Sequence, residues 1–136
     1  MDHRELTYEI IAACLEVANE LGHGFLESVY ERALLIVLAD RGLAAESQVP
    51  LTVWFRGRSV GDFAADIVVD RKVIIELKAV KALGPEHQAQ LIHYLNATGI
   101  DVGLLVNFGA SSLDWKRCHR NRNKVAAEDQ SSQRNR

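Results

Sequence analysis

Cysteine is scarce in this chain of 136 residues: Cys14 and Cys118 are the only two, and their separation excludes a disulfide framework. There is no C-x-x-C pair and no tight Cys/His spacing, so the usual zinc patterns are excluded too. Long apolar runs are also missing. Ala33 to Ala39 and Val102 to Val106 fall well short of the roughly 18 residues that a spanning helix needs. The N-terminus carries early acids in place of a cationic leader, and no internal repeat is visible. These absences lead us to expect a soluble, untargeted protein of the reducing cytoplasm, with no membrane partner. With 48% hydrophobic and 25% charged residues, the chain can bury one core and is too short for two ordinary domains.

The net charge of -2 hides an asymmetry. Residues 116–136 hold seven Lys/Arg against two acids, whereas residues 1–115 hold nine against sixteen. Residues 1–118 are expected to form a single domain, and 119–136 a basic polar tail without fixed structure. Such a tail supplies salt-sensitive attraction to phosphate, or serves only as a solvated end.

Periodicity gives the elements. Leu6, Ile10, Ala13, Cys14, Val17, Ala18 and Leu21 recur every three or four residues, so Glu5 to Leu21 reads as an amphipathic helix stopped at Gly22. Leu26 to Asp40 resumes the helical pattern and closes at Gly42. Val49, Leu51, Val53 and Phe55 then alternate, Arg56-Gly57-Arg58 marks a turn, and Phe63 to Val69 alternates again. After Asp70-Arg71-Lys72, Val73 to Lys78 is a strand too apolar for an edge. Gly84-Pro85 opens a helix to about Ala97, and Val102 to Asn107 is a further strand. The order reads α-α-β-β-β-β-α-β, with a short strand or helix near Leu113 to Cys118. The helix between Glu76 and Val102 implies two parallel neighbours in an otherwise antiparallel sheet. The expected fold is therefore α/β, a mixed β-sheet flanked by helices.

Glu76 and Lys78, two apart in an apolar strand, project from one face, with Ile75 and Leu77 on the other. Charges in such a strand cost several kcal/mol each unless paired or metal-bound. A wet strand face carrying an ion pair is the bland explanation. Asp66 lies ten residues earlier on the preceding strand, and a hairpin at Asp70 to Lys72 brings it beside Glu76. Two carboxylates with a water or carbonyl make a hard oxygen site suited to Mg²⁺ or Mn²⁺, with positions left for phosphate oxygens. Lys78 then orients the attacking water or offsets charge on the phosphate. On the next helix Gln90 and Tyr94, four apart, share a face; this is either a substrate contact or surface decoration. His23, His87, His93 and His119 are scattered and read as ordinary surface or helix-end histidines.

Asp66, then Glu76-Leu77-Lys78, then Gln90 with Tyr94, resembles the Asp, Glu-x-Lys and Gln-x-x-x-Tyr signature of the PD-(D/E)XK nuclease superfamily. Gly24-Phe25-Leu26-Glu27-Ser28-Val29-Tyr30 resembles the signature of its GxxExxY proteins, a prokaryotic group. Gln48-Val49-Pro50, Asp66 to Val69, Val73 to Val80, His87 to Leu95 and Gly103 to Gly109 extend the likeness over about residues 5–118. Ala65 departs from the pattern, standing where the superfamily's eponymous proline would be.

The resemblance implies a restriction-endonuclease-like fold and a nuclease acting on nucleic acid, DNA first. It implies Asp66, Glu76 and Glu27 as metal ligands, Lys78 as the catalytic lysine, and Gln90 and Tyr94 on the substrate side. Tyr30 either touches substrate or packs, Glu27 alternatively serves the helix dipole, and Lys116 and Arg117 are expected to touch phosphate. The alternative function is a nucleic-acid- or partner-binding module acting as a subunit of a larger assembly. The apolar N-terminal helices would suit a homodimer.

Overall fold

The computed structural model describes residues 2–121. Helices α1 (Arg4–Leu21) and α2 (Glu27–Asp40) precede strands β1 (Ala45–Phe55), β2 (Arg58–Val69) and β3 (Val73–Lys78). Helix α3 (Pro85–Thr98) follows, then β4 (Val102–Asn107) and β5 (Asp114–His119). Three strands, not four, separate α2 from α3, and the undecided segment near Leu113 to Cys118 is the fifth strand. It resisted assignment because Cys118 is its only buried residue.

The five strands lie in sequence order in one sheet. Pairing is antiparallel throughout except between β3 and β4, which run parallel because α3 carries the chain back to the start of the sheet. All six residues of β4 are buried and β3 is buried almost throughout, as expected for central strands with both faces covered. One face packs Ile67, Ile75, Leu77, Leu104 and Val106 against Ile10, Cys14 and Val17 of α1 and Leu34 and Leu38 of α2. The other packs Leu51, Ile74 and Leu105 against Leu91 and Leu95 of α3. Each such fully buried aliphatic side chain contributes about 1.5–3 kcal/mol.

The two hairpins turn tightly. Arg56 and Gly57 at one, and Asp70 and Arg71 at the other, all take positive φ, the backbone that matches strand twist in two-residue loops. In the second, the Lys72 N–H donates to the Val69 carbonyl at 2.9 Å. Asp70 is half-buried and its carboxylate accepts the Ala44 N–H at 3.3 Å.

Order extends past the expected boundary at 118. The Arg120 guanidinium meets Asp101 at 3.1 Å, and the Asn121 N–H donates to Asn96 at 3.0 Å. The rest of the basic tail, with Arg122 and Lys124, lies outside the described residues. Both cysteines are free and buried, and burial pushes the Cys14 thiol up to about 12. Among the described residues no helix is long and apolar enough to cross a membrane.

Candidate active site

The site lies where β2 leaves β3. Ladder pairing between these strands covers Ile67 to Val69 against Val73 to Ile75 and stops one step before Asp66 and Glu76. The backbone donors freed there are taken by the carboxylates. The Asp66 N–H donates to Glu76 Oε2 at 2.7 Å, and the Leu77 N–H donates to Asp66 Oδ2 at 2.8 Å. Each acid thus bonds to the other's strand. Hydrophobic neighbours on β3 anchor the site, because Ile75 and Leu77 are drawn into the α1–α2 core and turn Glu76 and Lys78 to the α3 side.

Glu76 is only 5% exposed. Burial, and then the nearby Asp66 charge, push its carboxyl up to about 8, against the opposing effects of the Asp66 N–H and Lys78. Among the described residues the single buried side-chain N or O atom without a hydrogen bond is Arg117 Nε. Glu76 Oε1 has no such bond either, so it must keep contact with solvent. Lys78 is half-buried, and its ammonium forms no ion pair or hydrogen bond with any described residue. The bland explanation, a same-face Glu76–Lys78 ion pair, is therefore not what the structure contains.

Two further residues join the site that sequence reasoning missed. Gln48, kinked into positive φ opposite Asp66, donates through Nε2 to Glu31 Oε1 at 2.9 Å and to Asp66 Oδ1 at 3.5 Å. Burial raises the Glu31 carboxyl, with Asp66 and Glu27 adding to the rise while Gln48 and Arg32 oppose it. The spacing was there to be read: Glu31 follows Glu27 by four residues on the same helix face. Gln48 carried only its place in the Gln48-Val49-Pro50 segment.

The donor set fits a hard divalent cation. Two opposed carboxylates each keep one oxygen free of backbone donors, and the proton that Glu76 holds at neutral pH is what a cation between them would replace. Asp66 and Glu76 are thus the pair able to hold one. Among the described residues, no three His, Cys, Asp or Glu side chains converge as a ready-made cage. Glu27, exposed in the first turn of α2, acts on Glu76 and Glu31 through space without completing one.

The other expected residues divide. Gln90 and Tyr94 line a cleft of about 630 Å³ between α3 and the β1–β2 hairpin. Burial raises the Tyr94 phenol, and the Glu76 and Asp66 charges raise it further. Tyr30 is corrected. It is fully buried, its ring stacks on Phe108 at 4.5 Å, its hydroxyl donates to the Gly22 carbonyl at 2.7 Å, and it accepts the Phe25 N–H at 3.2 Å. It packs, and has nothing left for substrate.

Lys116 and Arg117 separate because neighbouring strand residues face opposite ways. Lys116 pairs with Leu105, which pairs with Glu76, so it shares the carboxylates' sheet face from two strands away. Arg117 pairs with Leu104 and lies on the opposite face, where its guanidinium donates to the Asp2 carbonyl. Its expected phosphate contact at this site is corrected on that ground.

The end of β3 is fixed from below. Asn107, fully buried, accepts the Val80 and Gly109 N–H groups at 3.0 and 2.9 Å and donates to the Val80 carbonyl at 2.9 Å. The Phe108 N–H donates to the Lys78 carbonyl at 2.8 Å. A lone Asn closing an apolar strand gave no sign of this clamp.

A family model described as the PD-(D/E)XK nuclease superfamily matches residues 4–118. Among solved structures, the chain is similar to SSO0001 with a TM-score of 0.57 and 18% identity, over 78% of this chain and 54% of that one. The likeness shows a shared fold, the restriction-endonuclease-like arrangement of a mixed sheet between helices, and this chain spans about half the length of that protein. No curated protein matches the chain.

Proposed function

The chain belongs to the PD-(D/E)XK nuclease superfamily, and from that membership we propose a Mg²⁺- or Mn²⁺-dependent nuclease that hydrolyses phosphodiester bonds of DNA in the cytoplasm. The observation that carries this reading is the cross-bonded pair Asp66 and Glu76 at the strand divergence, beside the Lys78 ammonium, which has no partner among the described residues. Within the superfamily, the Gly24 to Tyr30 segment supports placement among the GxxExxY proteins, with residues 1–118 as the catalytic domain.

Asp66 and Glu76 hold the cation, and Glu27 and Glu31 add negative potential around it. When bound, the cation polarises a phosphoryl oxygen and eases deprotonation of water. Lys78 orients the attacking water or offsets charge on the phosphate oxygens. A P–O bond to the water oxygen forms as the bond to the 3′ oxygen breaks, and that oxygen leaves with a proton. Gln90 and Tyr94 line the substrate side. The exposed Tyr8, Leu15, Phe25, Leu26 and Ile36 of α1, α2 and their junction offer a surface for a homodimer.

The test is a Mg²⁺/Mn²⁺ cleavage panel over circular, linear, single-stranded and branched DNA. Glu76→Ala and Lys78→Ala should each lower the rate by about 100-fold or more with the fold intact. Unchanged cleavage in either variant refutes the assignment. An inert wild-type chain would instead favour the subunit reading, a binding module that keeps the site.

A further inference from the structure

We infer that the cleft beside the carboxylates receives an unpaired nucleobase, so that the enzyme selects single-stranded or frayed DNA; this rests on the nuclease reading above. The cleft has two unlike walls. The β1–β2 hairpin supplies Trp54 and Phe63, and α3 supplies Gln90, His93, Tyr94 and Asn96.

The aromatic wall is made by local backbone features. The β1–β2 register shifts between Val53 and Trp54, and an irregularity of this kind re-aims side chains that would otherwise alternate. Val53 and Trp54, though consecutive, both line the cleft. Gly61 has no side chain where one would stand: a Cβ there would come within 2.8 Å of the Phe63 ring. That ring is held at 5.7 Å from Tyr94, tilted by 43°, and still 44% exposed. A large aromatic face is thus kept open beside the site.

Charge decides the occupant. Among the described residues of the lining, Glu86 is the one charged side chain and none is Lys or Arg, so these walls suit a neutral group better than a phosphate. A neutral, flat, hydrogen-bonding ring fits both walls, stacking on Trp54 or Phe63 while the Gln90 amide reaches its edge. The volume suits a ligand of nucleoside size. Tyr94 lines the cleft with its ring 5.7 Å from that of Phe63, which stands three residues before Asp66 on β2, and this puts the phosphate of such a nucleotide towards Asp66, Glu76 and Lys78. A base inside an intact duplex is stacked and must leave its helix to enter, which favours strands already unpaired.

Trp54 makes the inference testable without cleavage. The chain has two tryptophans, so Trp115→Phe leaves Trp54 as the sole indole reporter. In this background, with EDTA present, single-stranded oligodeoxyadenylate should quench Trp54 fluorescence saturably. An abasic oligomer of equal length and charge should not. Phe63→Ala should weaken binding roughly 5- to 100-fold, the loss of one stacked base, with unchanged circular dichroism. Equal quenching by the abasic oligomer, or unaltered affinity in Phe63→Ala, overturns the inference.

Self-association measured by sedimentation covers the other occupant: a dimer that Phe63→Ala dissolves would mean that a second copy fills the cleft, and overturns it too. Cleavage of the same oligomers with Mn²⁺ separates the two readings. Base-dependent quenching without cleavage leaves the cleft standing and the nuclease refuted. Cleavage indifferent to bases and to Phe63 does the reverse.

Discussion

Replacing Glu76 by Gln should make the metal-free protein more stable in alkali while abolishing its metal response. Glu76 is buried, and its carboxyl rises from 4.5 to about 8. Between these values the folded chain holds a proton that the unfolded chain has released, so stability falls as pH rises through the window. At about 1.4 kcal/mol per pH unit, the loss reaches about 3 kcal/mol at pH 7 and about 5 kcal/mol once pH exceeds the folded value. Gln keeps the acceptor for the Asp66 N–H and carries no charge to bury.

Urea unfolding followed by circular dichroism in EDTA at pH 5, 6, 7 and 8 reads the difference directly. The two proteins should be near equal at pH 5, and the variant ahead by several kcal/mol at pH 8. Glu31, also raised, tilts both profiles in the same direction, so the gap between them isolates Glu76. Adding Mn²⁺ at pH 8 should restore the wild type through binding to the native state and leave the variant unmoved. Parallel profiles, or equal metal stabilisation of both, would refute the reasoning.

Tyr30→Phe should cost about 1–2 kcal/mol, since it removes the bonds to Gly22 and Phe25, with the cleavage rate of the folded protein retained. A fall in kcat without a fall in Tm would return Tyr30 to the substrate. Gly109→Ala sets a Cβ within 2.3 Å of the Val80 nitrogen. It should destabilise by about 1–3 kcal/mol and lower cleavage beyond the unfolded fraction by disturbing the Asn107 clamp behind Lys78. A wild-type rate and Tm would show the clamp to be irrelevant.

The parts of the site that the sequence made legible are those governed by local periodicity. Period two put Glu76 and Lys78 on one face, the tight turn set Asp66 against Glu76, and helical spacing joined Gln90 to Tyr94. Glu31 could have been read from its helical spacing to Glu27, whereas Gln48 and Asn107 stayed hidden because their contacts cross between β1, α2 and β2 or between β4 and the loop after β3. No local pattern encodes such meetings. Tyr30 was left between substrate and packing for a related reason. A Tyr one turn from a site acid looks available until the Gly22 to Phe25 break and Phe108 are seen to enclose it. Lys116 and Arg117 could not share one site once Asp114 to His119 is a strand, but with one buried residue in six that strand had no readable period. Likewise β1 begins at Ala45, earlier than Val49, because Glu46-Ser47-Gln48 offers no apolar alternation.

At the divergence of β2 from β3 the carboxylates stand in for missing rungs of the sheet. The bonds that align the site are therefore also the bonds that extend the hairpin beyond its last ladder pair. With this hairpin open, the two acids would stand apart. The cation site proposed above would therefore exist only while the hairpin is closed, and local opening at the divergence would dismantle it.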